Sequence, residues 1–174
     1  RIESSKEFAK ELMRRYNIPT ASYRSFSSYA QALEYVRGGS FPTVLKYDGL
    51  AAGKGVVVAQ TLQEADAALR MMLLEEEFGE GKVVVEDFLT GPEFSFMCFV
   101  DGENVYPMPL SQDHKRAFDG DLGPNTGGMG AYTGLPFITK QDWDYAFEKI
   151  MVPAAKAMCA EGCPLSGVLY GGLM

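Results

Sequence analysis

The segment at residues 43–59, Thr-Val-Leu-Lys-Tyr-Asp-Gly-Leu-Ala-Ala-Gly-Lys-Gly-Val-Val-Val-Ala, constrains the fold more than any other part of the chain. An apolar run ends near Lys46, a glycine-bearing turn follows, and a second apolar run carries Val56, Val57 and Val58 in succession. β-Branched side chains are stiff at χ1 and favour strands over helices, so the turn joins two strands. Gly49, Gly53 and Gly55 let main-chain amides turn toward an anion, and Lys46 and Lys54 supply positive charge. The spacing is not that of a Walker A loop. The stretch from Gly49 to Gly53 is one residue short, Gly55 stands where Ser or Thr would hold magnesium, and a strand follows instead of a helix. From these residues alone, two readings stay open: a phosphate clamp built on a hairpin, and a hairpin tip with solvated lysines.

A chain of 174 residues with 47% apolar and 22% charged side chains is globular and long enough for one or two domains. Its formal net charge of −7 argues against a general nucleic-acid or anionic-membrane partner, although the basic cluster His114-Lys115-Arg116 can still grip a phosphate. No apolar run approaches the ~20 residues that span a bilayer, and the polar start does not resemble a signal peptide. Cys98, Cys159 and Cys163 are an odd number without a disulfide framework, which points to a reducing cytoplasm. With one distant histidine they make a poor zinc set and read as core thiols. The chain begins at Arg1 and ends on the strand-like run Gly-Val-Leu-Tyr-Gly-Gly-Leu-Met at residues 167–174, so it reads as a piece of a larger protein.

Helices and strands alternate along the rest. Ser4-x-x-Glu7 reads as a capping box for a helix with Phe8, Leu12, Met13 and Tyr16 at helical spacing, and Pro19 marks its exit. A short strand at 23–26 follows, then a helix from Ser28 to the Gly38-Gly39 pair. After the hairpin, Thr61-x-x-Glu64 opens a helix burying Ala65, Ala68, Leu69 and Met72. Strands are expected at 82–87 and 93–100, the second with Phe94, Phe96, Cys98 and Val100 on one side and a turn at Asp101-Gly102. Residues 111–134 read as one long functional loop, charged first and glycine-rich afterwards. Thr139-x-x-Asp142 then caps a helix that Pro153 interrupts and Gly162 closes. This alternation makes the chain α/β or α+β.

Four features converge on a nucleotide. Lys46 and the glycine turn suit phosphates. Glu86-Asp87-Phe88-Leu89, at a strand end, can border adenine, and Glu93 can accept from ribose hydroxyls. Residues 112–116 bring cations to where a phosphoryl group would be transferred. Taken singly, Glu93 is equally a surface carboxylate, and His114, Asp119 and Asp121 are equally solvated loop residues; a hydrolytic triad at His114 is not expected.

Lys46-x-Asp-Gly-Leu-Ala-Ala-Gly-Lys-Gly-Val, Glu86-Asp-Phe-Leu-x-Gly-x-Glu, Ser111-Gln-Asp-His-Lys-Arg and Gly123-Pro-Asn-Thr-Gly-Gly-Met-Gly-Ala-Tyr occur in this order. Together with Ser5-Lys6 and the closing run at 167–174, they resemble the phosphoribosylamine–glycine ligases, or glycinamide ribonucleotide synthetases, of the ATP-grasp superfamily. The resemblance covers essentially the whole chain. It implies an α+β, ATP-grasp fold fragment: a joining helix at 1–19, a small α/β lid subdomain at 20–92, and part of the central grasp subdomain at 93–174 with a substrate loop at 111–134. It implies ATP-dependent ligation of glycine to 5-phosphoribosylamine through glycyl phosphate, in the cytoplasm, with magnesium or manganese in the intact enzyme. ATP would meet Lys6, Lys46, Gly49, Gly53, Lys54, Gly55, Glu86, Phe88, Leu89 and Glu93. Asp113, Lys115 and Arg116 would serve catalysis, and Asn125, Thr126, Gly127, Gly128 and Met129 the acceptor substrates. Asp87 replaces the glutamate more usual in the family. The family's metal-binding carboxylate and asparagine would lie beyond residue 174, so the isolated piece is expected to be inactive. The alternatives are another ATP-grasp carboxylate–amine ligase and a non-catalytic nucleotide-binding module.

Overall fold

A computed structural model describes residues 2–49, 51, 55–75, 77–120 and 122–174, with only the main chain of Asn125. The chain divides into two compact units, Arg1–Leu89 and Thr90–Met174.

The first unit is built on a four-stranded antiparallel sheet in the order β1-β4-β2-β3: β1 (Tyr23–Phe26), β2 (Thr43–Asp48), β3 (Val56–Ala59) and β4 (Lys82–Asp87). The β2–β3 hairpin expected from the valine run is present, with Lys46 paired to Val56. Leu45 and Tyr47 on β2 and Val83 and Val85 on β4 share one face, as period-2 alternation requires. Helices α2 (Tyr29–Arg37) and α3 (Leu62–Leu73) cover that face with Ala32, Leu33, Val36, Ala65, Ala68, Leu69 and Met72, all buried. The helix starts follow capping chemistry. The Thr61 hydroxyl accepts from the Glu64 amide at 3.3 Å, while the Glu64 carboxylate turns back to the Gln60 amide at 2.9 Å.

Helix α1 (Lys6–Arg15) differs from expectation at its start. Ser5, not Ser4, is the cap, and its hydroxyl oxygen accepts from the Phe8 amide at 3.0 Å. The reason lies at the end of β2. Asp48 accepts from the Lys6 and Glu7 amides and from the Ser5 hydroxyl, so a carboxylate from the hairpin sits on the positive end of the helix.

The second unit is a five-stranded antiparallel sheet with β5 (Phe94–Asp101) at its centre. β11 (Ser166–Leu173) runs along one side of β5, while β6 (Asn104–Pro107) and then β7 (Ser111–Asp113) share the other, and β10 (Ala131–Thr133) pairs with β7. Phe94, Phe96, Cys98 and Val100 are all buried, on the side expected. They face the helical layer of α4 (Lys140–Ala146) and α5 (Val152–Ala160), where the rings of Trp143 on α4 and of Phe147 just after it lie 5.5 and 6.2 Å from that of Phe96. The irregularity expected at Pro153 takes the form of a π-helical turn, Phe147–Met151, between α4 and α5. Proline lacks an N–H and its ring crowds the carbonyl four residues back; a wider turn there removes both conflicts. The capping box at Thr139 and Asp142 is complete.

Residues 111–134 are not one long loop. They form β7, β8 (Arg116–Phe118), β9 (Leu122–Asn125) and β10, with β8 and β9 making a separate two-stranded ribbon. Strands of three or four residues with mixed polarity carry no period-2 apolar signal, which is why the sequence read as loop.

Burial pushes the Cys98 thiol up to about 11, and this side chain is fully covered, whereas Cys159 and Cys163 are partly exposed. A disulfide reagent at pH 8 is therefore expected to react promptly with two of the three thiols, the third appearing only on unfolding. Three fast thiols in the native protein would contradict this core.

Candidate functional site

In the first unit the cations gather on the sheet face opposite α2 and α3. Lys46 and Glu86 point to this face from neighbouring strands, in a diagonal cross-strand relation set by the pairs Val44–Glu86 and Lys46–Val84. The Lys46 ammonium donates to Glu86 Oε2 at 3.0 Å. A second ammonium, from Lys10 on α1, reaches the same oxygen at 3.1 Å and also donates to Thr20 Oγ1 at 2.8 Å and the Ala21 carbonyl at 3.2 Å. Glu86 is 6% and Lys10 7% exposed, against 30% for the Lys46 side chain. Burial pulls the Lys10 ammonium below its ordinary value, and Glu86 opposes that pull.

The hairpin end of this face carries more expected residues. Lys6 Nζ donates to the Gly49 carbonyl at 3.1 Å, so this lysine reaches the turn itself. Gly55 lies where a Cβ would stand 2.6 Å from that of Ala51, so a side chain there would spread the hairpin. Gly53 and Lys54 lie outside the described residues. Phe88 and Leu89, just past β4, are 39% and 47% exposed, so their apolar faces are accessible beside Glu86. Glu86 is a buried partner of two lysines as well as a neighbour of this apolar pair. Sequence reasoning missed Lys10, because an amphipathic helix with one lysine on its inner face looks the same as one with a solvated lysine; it also missed the capping role of Asp48.

The second unit contains a cleft of about 1060 Å³ lined by Glu93, Asp113, His114, Lys115, Arg116 and Met129, among others. Its wall is held by main-chain bonds: His114 N to Gly130 O at 2.9 Å, Met129 N to His114 O at 2.7 Å, and Thr126 N to Lys115 O at 2.6 Å. Gln112 ties Glu93 to this wall by donating to the Glu93 carbonyl at 2.8 Å and accepting from the Tyr132 hydroxyl at 2.6 Å. The His114 ring stacks on Tyr132, with centroids 5.3 Å apart, so this histidine is held against an aromatic ring. Lys115 Nζ lies 2.6 Å from Asp113 Oδ2, and that hydrogen bond raises the lysine above its ordinary value and keeps it protonated. Arg116 donates through Nη1 to the Gly123 carbonyl at 2.7 Å, which leaves most of its fork available. Gly128, at φ +127°, passes so close to Asp113 that a Cβ would meet its Oδ1 at 2.9 Å; the Thr126 hydroxyl accepts from its amide. Gly127 has open space about it, and Met129 is exposed.

Asp113, Lys115, Arg116, Glu93 and Met129 thus meet around one cleft, with Thr126 and Gly128 in its supporting turn. The side chain of Asn125 and all of Asp121 lie outside the described residues; the Asn125 main chain pairs with Arg116. Among the described residues no three His, Cys, Asp or Glu side chains converge to hold a metal ion. No helix among them is long and apolar enough to cross a membrane.

The fold of these two units is that of the ATP-grasp proteins. The crystal structure of biotin carboxylase from Campylobacter jejuni shares it, with a TM-score of 0.76 at 17% identity over 98% of this chain and 37% of that one. The chain belongs to the phosphoribosylglycinamide synthetase family: the model of its ATP-grasp (A) domain matches residues 4–174. The phosphoribosylamine–glycine ligase of Listeria monocytogenes serotype 4b is 57% identical over 99% of this chain, and the crystal structure of the Thermotoga maritima phosphoribosylamine–glycine ligase superposes with a TM-score of 0.89 at 36% identity over 98% of it. The chain spans 42% of the Listeria protein's length and 44% of the Thermotoga chain.

Proposed function

We propose that this chain is the ATP-binding portion of a cytoplasmic phosphoribosylamine–glycine ligase, which joins glycine to 5-phosphoribosylamine at the expense of ATP. The observation that carries this reading is the cleft of the second unit, where Lys115 and Arg116 stand side by side on the wall formed by the family's own motif. In this reading residues 20–92 are the lid, residues 93–174 are part of the central subdomain, and the helix at 1–19 belongs with the central subdomain.

Lys46, Lys6 and the amides of the β2–β3 turn, Gly49, Gly53, Lys54 and Gly55 among them, take the phosphates of ATP. Glu86, Phe88 and Leu89 border the adenine, and Glu93 accepts from the ribose. The glycine carboxylate attacks the γ-phosphorus; an O–P bond forms and the bond to ADP breaks. Two anions meet in that step, so Lys115 and Arg116 neutralise the charge that develops, with Asp113 fixing the lysine. The phosphoribosylamine nitrogen then attacks the glycyl carbonyl carbon, phosphate leaves, and the nitrogen loses a proton. The turn at Asn125, Thr126, Gly127, Gly128 and Met129 holds these acceptors.

The test is ADP release by the full-length ligase that carries this chain. Release is expected only when glycine and phosphoribosylamine are both present, with glycinamide ribonucleotide appearing in equal amount. ADP release driven by bicarbonate or by another amino acid would replace this reading with a different ATP-grasp ligase.

A further inference from the structure

Lys10 has no part in the roles assigned above, yet it is among the most deeply buried charges described. Its three N–H donors are all engaged, with Glu86, Thr20 and Ala21, so it has nothing left to offer a ligand. Lys46 differs. Its one described bond is to Glu86, it is more exposed, and two donors remain.

Consider the same face without Lys10. Glu86 would then be a buried carboxylate with Lys46 as its one cationic partner. An arriving phosphate would then share the single positive charge of Lys46 with that carboxylate. One cation between two anions neutralises neither fully, and the shortfall is subtracted from binding. With Lys10 in place the carboxylate is already neutral in sum, and the positive charge of Lys46 is surplus.

We infer that Lys10 is a positioning residue that neutralises Glu86 from behind, leaving the Lys46 ammonium free for an incoming phosphate. This rests on the reading of the face as the nucleotide-binding one, and the test separates the two. Lys46 acylation is mapped by peptide mass spectrometry at limiting reagent, and ATP affinity is measured by calorimetry, in the wild-type chain, K10M and K10M/E86Q.

In K10M, Lys46 becomes the sole counter-ion of Glu86. Its acylation is expected to slow by about threefold or more, because a carboxylate left with one cation holds that ammonium more tightly. ATP affinity should fall by about tenfold, the scale of one hydrogen bond to a charged group. Lys46 acylation should recover in K10M/E86Q, where no buried charge competes for Lys46. A lysine that served packing alone would leave Lys46 acylation unmoved in both variants. Unchanged Lys46 acylation in K10M, or acylation that stays slow in the double variant, overturns the inference. A K10M chain that unfolds while K10M/E86Q folds supports the neutralising role. Should the wild-type chain bind no ATP while Lys46 acylation still follows the charge at residue 10, the inference stands and the nucleotide reading falls.

Discussion

Replacing Phe96 with alanine is expected to destabilise the second unit by about 3–5 kcal/mol, the range for removing a large buried aromatic side chain. The ring is fully buried at the middle of β5, the strand that pairs with β6, β7 and β11. It meets Trp143 and Phe147 from the helical layer, which themselves stack with centroids 5.1 Å apart. The space left by the ring cannot close easily. On the side of β11, Gly171 already packs against Met151 and the Phe96 carbonyl, so a Cβ there would meet the Met151 sulfur at 2.8 Å. Sheet and helix are therefore in contact around the ring, and the cavity term adds to the lost burial. The measurement is built in: Trp143 is the one tryptophan of the chain, and it touches the mutated site. Guanidinium unfolding followed by its fluorescence should show a lower midpoint with an unchanged slope. A loss below about 1 kcal/mol, the centre of ordinary point mutants, would mean that Phe96 does not anchor this core.

The elements that sequence read well are those with one dominant signal. Three successive valines and period-2 alternation gave β2, β3 and β5, and the capping chemistry of Thr61 and Thr139 placed two helix starts. What escaped depends on partners distant in sequence. Ser5 displaces Ser4 as a cap because Asp48, over forty residues away, comes to the helix end. Lys10 finds Glu86 across a similar interval, and no local pattern distinguishes that lysine from a solvated one. The ribbon β8–β9 forms through turns such as Gly120, at φ +72°, that let very short strands pair without an apolar rhythm. For the site, the residue types were legible and their relations were not. Nothing in the sequence pairs Asp113 with Lys115 in particular or stacks His114 on Tyr132; both relations come from the fold.

That relation between Asp113 and Lys115 governs the second large effect. In the full-length ligase, the double variant K115A/R116A is expected to lower kcat by about 10²–10³-fold, the loss seen when one preorganised charge-stabilising donor is removed, because groups that act as a unit are lost together. The KM for ATP should stay within about threefold, because in the proposed roles the nucleotide is held by Lys46 and the hairpin, and Lys115 and Arg116 act on the charge that develops in transfer. Lys115 enters that step protonated, since the Asp113 carboxylate raises it, and Arg116 is steadied by the Gly123 carbonyl. The single variant K115A should be worse than loss of one cation alone, because it leaves the Asp113 carboxylate uncompensated beside the incoming anions. Adding D113N to K115A removes that repulsion and should recover part of the lost kcat, which a purely catalytic aspartate would not permit. The decisive comparison is between kcat and KM. If K115A/R116A raises the KM for ATP as much as it lowers kcat, the two cations bind the nucleotide in its ground state, and the cleft of the second unit is not where phosphoryl transfer is stabilised.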